Sequence, residues 1–145
     1  MSNAPRPRRI ELRLDSRLDQ VQFAARALKA LCIEAGLEQR ASALVELALV
    51  EAINNVIRHA YRLEPGHVVM VSFVHQGDEL NVEVCDAGAP NRGPQRPRFE
   101  FDPADTANLP EGGMGLHLIH SIMDHVEYRS AAGRNTLAMT KRLAA

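Results

Sequence analysis

The segment Glu-Ala-Ile-Asn-Asn-Val-Ile-Arg-His-Ala-Tyr at residues 51–61 decides how the rest of the chain is interpreted. Polar side chains recur there at every fourth position, as Glu51, Asn55 and His59. At about 100° per residue these positions span an arc of about 80°, so they line one side of a helix. The remaining positions are mostly apolar, so we expect a helix over 38–61 that is buried nearly all round.

Elements on both sides of this helix follow from local periodicity. Alternation over 9–14 predicts a strand, and Asp15 or Ser16 is expected to cap a helix that Gly36 ends. Two strands, at 67–75 and 80–85, should flank a turn at 76–78. Residues 88–113 lack periodicity, 116–125 is expected to be helical, and 126–129 with 136–142 should close a hairpin around Gly133.

The order of the elements predicts an α+β fold class. Helices are grouped together and neighbouring strands are joined by hairpins, which favours a two-layer sandwich with helices on one face of a mostly antiparallel mixed sheet. The regular strand-helix alternation of a doubly wound parallel sheet is absent from the sequence. We expect a flexible tail over 1–8 and a single domain over 9–145.

Composition excludes several classes of function. The 145 residues carry a formal net charge of -1, and the pI is near 6.6. Such a chain has no general attraction to nucleic acid or to an anionic membrane. The two cysteines, Cys32 and Cys85, lie far apart and favour neither a disulfide framework nor a zinc site. With no signal peptide and no apolar run of membrane-spanning length, we expect a cytoplasmic protein.

The carboxylate on the central helix needs a partner. Burying Glu51 alone would cost roughly several kcal/mol, so a metal ion, a water or a polarised substrate hydroxyl would each explain it. A purely structural hydrogen-bond network would explain it as well.

Two further segments are each ambiguous alone. Asp86-Ala87-Gly88 follows a strand, where the carboxylate could accept a hydrogen bond from an exocyclic amine or simply form a turn that needs the freedom of Gly88. Glu111-Gly112-Gly113-Met114-Gly115 precedes a helix, where backbone N–H groups could hold an anion or the glycines could form a hinge. No Walker pattern is present.

Together the three segments resemble the ATP-binding site of the histidine-kinase-like (GHKL) ATPases, whose domain has the Bergerat ATP-binding fold. Within that superfamily the chain is most similar to the anti-sigma factor serine/threonine protein kinases of bacterial partner-switching systems. The resemblance runs from about Ile10 to Leu143. It is most specific over residues 51–61 and 111–128.

The resemblance implies a role for each matching position. Glu51 would be the general base, Asn55 would hold Mg²⁺, and Asp86 would bind the amine of adenine. A lid over 91–113 would cover the nucleotide, with Arg92, Arg96 and Arg98 as candidates for the γ-phosphate. The residues implied to bind ATP are Asn55, His59, Asp86, Gly88, Gly112, Gly113, Met114, Gly115, Leu116 and Thr136.

The function implied is a protein kinase that uses ATP and Mg²⁺. It would sequester a sigma factor or similar regulator and phosphorylate a small anti-sigma factor antagonist protein on serine or threonine. The resemblance also implies a homodimer, whereas the expectation of no direct contact with nucleic acid or membrane follows from the charge and composition. Three alternatives remain: an ATP-gated sequestering protein without catalysis, the catalytic domain of a sensor kinase or topoisomerase-like motor, and a binding domain of unrelated function.

Overall fold

The computed structural model describes residues 6–88 and 114–143. The expected lid at 91–113, with Gly112 and Gly113, lies outside these ranges. The elements are β1 (Arg8–Asp15), α1 (Val21–Glu34) after a 3₁₀ turn (Leu18–Gln20), α2 (Gln39–Asn55) continued by a π-helical turn (Val56–Ala60), β2 (Val68–Gln76), β3 (Glu79–Asp86), α3 (Met114–Ile122), β4 (His125–Ala131) and β5 (Arg134–Arg142).

Five strands form one sheet in the order β1-β2-β3-β5-β4. All four pairings between the described strands are antiparallel. The parallel pairing that a mixed sheet would contain is not found among them. The helices pack on the sheet, with α2 in contact with both α1 and α3. The predicted α+β sandwich is confirmed. None of the helices in the described ranges has the length and apolar character needed to cross a membrane.

The hydrophobic core lies between the helices and the sheet. Its largest fully buried side chains are Phe73, Leu28, Leu49, Ile53, Ile57, Leu80, Ile119 and Met139. The expectation that α2 is buried nearly all round is wrong, because Leu44 and Leu47 are 42% and 39% exposed. In the described part of the chain, helices flank α2 and the sheet lies beneath it, and nothing covers its outer side. The apolar residues of α2 do not by themselves show how many sides of the helix are covered by other elements.

The end of α2 differs from the expected regular helix. Over Val56–Ala60 the backbone forms a π turn, in which the Tyr61 N–H donates to the Val56 carbonyl at 3.0 Å. The helix then ends at Arg62 and Leu63, both with positive φ. π turns are rare and occur mostly at functional sites. Side-chain periodicity does not encode the wider turn, so the prediction of continuous α-helix to residue 61 was wrong.

The predicted helix cap is also wrong. Neither Asp15 nor Ser16 caps α1, because the N-cap residue is Gln20, and Gln20 makes no side-chain hydrogen bond to the helix. Instead the buried Ser16 hydroxyl donates to the Glu64 carbonyl at 2.6 Å and accepts the His67 N–H at 3.1 Å. These bonds hold the loop between α2 and β2 against the end of β1.

The loss of these two bonds should be measurable. We expect Ser16→Ala to lower the free energy of unfolding by about 1–3 kcal/mol, because two backbone groups lose their partner. Ser121→Ala is the matched control, since the exposed Ser121 hydroxyl only donates to Leu118 of its own helix, and it should change stability by less than about 0.5 kcal/mol. Urea unfolding of both variants makes the comparison, and equal effects would contradict the role of Ser16.

Candidate functional site

Two of the sequence motifs meet at Gly115. A Cβ added to this glycine would lie 2.8 Å from Oε2 of Glu51 and 3.4 Å from Nδ2 of Asn55. The first turn of α3 therefore lies directly against the polar side of α2. Any larger residue would displace the Glu51 carboxylate, which is half-buried here. The glycine leaves room for the Glu51 carboxylate between the two helices, and the start of α3 places backbone N–H groups beside the carboxylate and the amide.

One atom of the Asn55 amide has no hydrogen-bond partner among residues 6–88 and 114–143. Its Nδ2 is buried and makes no hydrogen bond within the described part of the chain. Leaving a buried polar group unpaired costs about 1–3 kcal/mol. The oxygen and nitrogen of an amide are assigned from their surroundings, so either atom could face this position. An amide oxygen is a known ligand of Mg²⁺ beside nucleotide phosphates, so Asn55 fits a metal site.

The third motif reaches the end of α2 through Gly88. A Cβ there would lie 2.6 Å from the carbonyl oxygen of Ala60, well inside contact distance. The expectation that Gly88 supplies an unusual turn conformation was wrong, since it is absent from the residues with positive φ. Lack of space is the observed reason for a glycine. The Asp86 turn therefore packs on the last turn of α2.

Tyr61 strengthens this junction. Its hydroxyl accepts the Ala87 N–H at 2.9 Å and donates to the Val68 carbonyl at 2.7 Å. Burial raises the pKa of Tyr61, the Ala87 N–H lowers it, and the nearby Asp86 carboxylate raises it. The net effect is an increase, which keeps the phenol protonated and able to donate. His67 stacks on the tyrosine ring at 4.5 Å.

Asp86 lies at the end of β3 and is 8% exposed. Its Oδ1 accepts hydrogen bonds from the Gly88 N–H at 2.9 Å and from Nδ2 of Asn135 at 2.8 Å. Within the described residues, all hydrogen bonds of this side chain go to Oδ1. No bond to the other carboxylate oxygen, Oδ2, is found among these residues, which makes Oδ2 the candidate atom for contact with a ligand.

The structure does not place Thr136 where the resemblance implied. Thr136 pairs with Cys85 in the β3–β5 ladder, and their side-chain oxygen and sulfur lie 3.4 Å apart. Asp86 pairs with Asn135, one residue earlier. Successive residues of a strand face opposite sides of the sheet, so Thr136 lies on the side away from Asp86.

Asn135 is therefore the functional candidate that the sequence interpretation missed. It is 2% exposed and shares the helix side of the sheet with Leu137 and Met139. The alternation Asn135, Leu137, Met139 in the final strand indicates that these three residues share one face. It does not indicate which residue of β3 lies opposite Asn135, because the register of β5 against β3 decides that.

The other residues expected to bind ATP lie at different places in the fold. His59 is exposed, because it follows the change from α to π helix. Leu116 packs against the core. Met114 is the first residue of α3. Gly112, Gly113 and the three lid arginines lie outside the described residues.

Three motifs thus meet around one end of α2, on an α+β sandwich, and this arrangement defines a nucleotide-binding site of the ATPase class. The chain matches the model of the histidine kinase-like ATPase domain family over residues 14–141. It belongs to this family, and the family predicted from the sequence is confirmed. Membership indicates ATP as the nucleotide.

A similar relative is the serine-protein kinase RsbW of Bacillus pumilus. The two are 31% identical over 140 residues, which cover 92% of this chain and 85% of the relative. The relative supports the predicted enzyme class, a protein serine/threonine kinase.

Two solved structures share the fold. One holds RsbU and RsbW domains from Mycobacterium tuberculosis, with a TM-score of 0.67 at 18% identity; it covers 94% of this chain but only 32% of the longer one. The other is the SiaB-SiaC complex of Pseudomonas aeruginosa, with a TM-score of 0.57 at 14% identity over 90% of this chain and 88% of its counterpart.

The close approach at Gly115 generates a prediction. In Gly115→Ala the new methyl group should push the Glu51 carboxylate aside while the fold remains stable, because alanine favours a helix. We expect phosphate transfer from ATP to fall about 100-fold, since such displacement of a reacting group costs about that much. A radiolabel transfer assay measures this rate.

Gly77→Asn serves as the control. Gly77 has open space around it, and asparagine tolerates its positive φ. Equal rates for the two variants would show that Gly115 does not position Glu51.

Proposed function

We propose that this chain is a Mg²⁺- and ATP-dependent serine/threonine protein kinase and an anti-sigma factor of the partner-switching type. It sequesters a sigma factor or similar regulator and phosphorylates a small antagonist protein. The observation that carries the proposal is the contact of Gly115 with both Glu51 and Asn55, which joins a candidate base to a candidate metal ligand. The serine-protein kinase name of its relative supports the reaction class. The protein acts in the cytoplasm as a homodimer.

Adenine recognition is assigned to the turn after β3. The Asp86 carboxylate accepts a hydrogen bond from the exocyclic amine of the base. This choice is supported by the occupied Oδ1, which leaves Oδ2 for the ligand. The close packing of Gly88 on Ala60 fixes the turn relative to α2. Base and phosphates are thereby held at a defined distance from Glu51.

The phosphates bind at the first turn of α3. Backbone N–H groups at a helix start attract anions, and the helix dipole adds to the attraction. Gly112, Gly113 and Gly115 let the backbone approach the phosphates, and residues 91–113 cover the nucleotide. When bound, Mg²⁺ neutralises charge on the phosphates. Asn55 holds the metal through its amide, and His59 lies at the rim of this site.

Glu51 then acts as general base. Its carboxylate accepts the proton of the acceptor serine or threonine hydroxyl as that oxygen attacks the γ-phosphorus of ATP. A new oxygen-phosphorus bond forms, the bond from the γ-phosphorus to the bridging oxygen breaks, and ADP leaves. The half-buried position of Glu51 beside the start of α3 suits this role, since the proton and the phosphate must meet at one place.

A carboxylate-to-amide change tests the base. Glu51→Gln keeps the shape of the side chain but cannot accept the proton, so we expect transfer to fall about 100- to 10,000-fold with ATP affinity little changed. Glu46→Gln is the matched control on the same helix, where the carboxylate accepts a hydrogen bond from Ser42. Purified variants are incubated with Mg²⁺, γ-labelled ATP and lysate of the source cells.

The outcomes separate the two leading functions. One small protein labelled on serine or threonine by wild type and by Glu46→Gln, but not by Glu51→Gln, supports the kinase and identifies the antagonist. Equal labelling by Glu51→Gln would remove Glu51 as the base. ATP that binds tightly and remains intact beside the antagonist would favour the ATP-gated sequestering protein instead.

A further inference from the structure

A fully paired side-chain network lies behind Asp86. Asn135 faces Asp86 directly across the β3–β5 ladder. Its Nδ2 donates to Asp86 Oδ1 at 2.8 Å and to the Gly88 carbonyl at 3.0 Å, while its Oδ1 accepts the Ser130 hydroxyl at 2.7 Å. Every polar atom of this amide, which is 2% exposed, is used.

The chemistry of the partners fixes the orientation of the amide. A carbonyl oxygen accepts hydrogen bonds only, and so does an ionised carboxylate. The nitrogen of Asn135 must therefore face Asp86 and Gly88, and its oxygen must face Ser130. If the amide turned over, an oxygen would lie against the Gly88 carbonyl and the Asp86 carboxylate. Ser130, on β4, thus holds the amide from the far side.

The fixed orientation of the Asn135 amide also fixes the orientation of the Asp86 carboxylate. Asp86 Oδ1 receives two donors, the Gly88 N–H and the Asn135 amide, so rotation of the carboxylate would break both bonds. Oδ2 is then held in one direction. A base with an amine at the matching position would donate to Oδ2, whereas a carbonyl at that position would meet another acceptor. Discrimination between the two depends on Oδ2 staying fixed, because a mobile carboxylate could turn away or admit a bridging water.

We propose that Asn135, held by Ser130, is a positioning residue that sets the preference of this site for adenine over purines with a carbonyl at the same position. The inference rests on the proposed role of Asp86 in binding the base. Asn135 acts through Asp86 and does not itself take part in phosphate transfer. It links the closing hairpin β4–β5 to nucleotide selection, whereas the resemblance had implied the neighbouring Thr136 as a residue that binds ATP.

The test compares ATP with inosine triphosphate, which has a carbonyl in place of the amine. Asn135→Leu keeps the approximate size and removes all three hydrogen bonds, and Ser130→Ala removes only the outer one. Thr140→Val is the matched control. It also lies on β5 and removes a side-chain bond to β3, in which the Thr140 hydroxyl donates to Asn81 at 2.8 Å.

The readout is the ratio of the two dissociation constants in Mg²⁺, measured by calorimetry on each variant. We expect wild type and Thr140→Val to prefer ATP by about tenfold or more, as a charge-assisted hydrogen bond allows. Asn135→Leu should lose most of this preference, chiefly through weaker ATP binding, and Ser130→Ala should lose part of it. A ratio measured within one variant is insensitive to a general loss of stability, which thermal unfolding without nucleotide records separately.

Two results would overturn the inference in distinguishable ways. If Asn135→Leu keeps the wild-type ratio while Asp86→Asn loses it, Asn135 is only structural and the site at Asp86 stands. If Asp86→Asn also keeps the ratio, or wild type shows no preference, the base-binding role of Asp86 is wrong and the inference falls with it. Should Asn135→Leu fail to fold, Asn135→Thr replaces it under the same criteria, because threonine suits a strand but cannot reach all three partners.

Discussion

The close approach of backbone to α2 at two points is the constraint on which the site depends. At Gly115 the start of α3 lies against Glu51 and Asn55, and at Gly88 the turn after β3 lies against Ala60. A Cβ at Gly88 would lie 2.6 Å from a backbone oxygen, and a Cβ at Gly115 would lie 2.8 Å from the carboxylate of Glu51, which would have to move. The α-helical part of α2 is contacted at Gly115 and its π-helical continuation at Gly88. One continuous element therefore sets the distance between the Asp86 turn, proposed to bind adenine, and Glu51, the proposed general base.

Hydrogen bonds also fix the position of the Asp86 turn relative to α2 and the sheet. Tyr61 ties the turn to the end of α2 and to β2, and Asn135 ties it to β5. The turn is thus held from two sides by buried groups whose hydrogen bonds are satisfied. Buried polar networks of this kind stabilise one arrangement strongly, since breaking any member leaves another unpaired. The Asp86 carboxylate is consequently held in one direction.

Most of the fold could be predicted from local pattern. Apolar periodicity predicted the three α-helices and five strands of the described residues with bounds that differ by a few positions, since burial of one face imposes a period of 3.6 or 2 on the sequence. The prediction of a helix cap at Ser16 failed because its hydroxyl bonds the backbone of Glu64 and His67, about fifty positions away. The exposed outer side of α2, at Leu44 and Leu47, could not be predicted either, since it reflects how many layers the chain builds.

The sequence by itself indicated the family, through the resemblance of its three motifs, and it predicted Glu51, Asn55, Asp86 and Gly115 as candidate site residues. Only the tertiary structure decided which strand residue supports Asp86. Asn135 and Thr136 are adjacent in sequence but face opposite sides of the sheet, and the choice between them depends on the register of β5 against β3. Register is a long-range property, set by which side chains reach the core. The contact of Gly88 with Ala60 is likewise a long-range property, because it brings together segments that are distant in sequence.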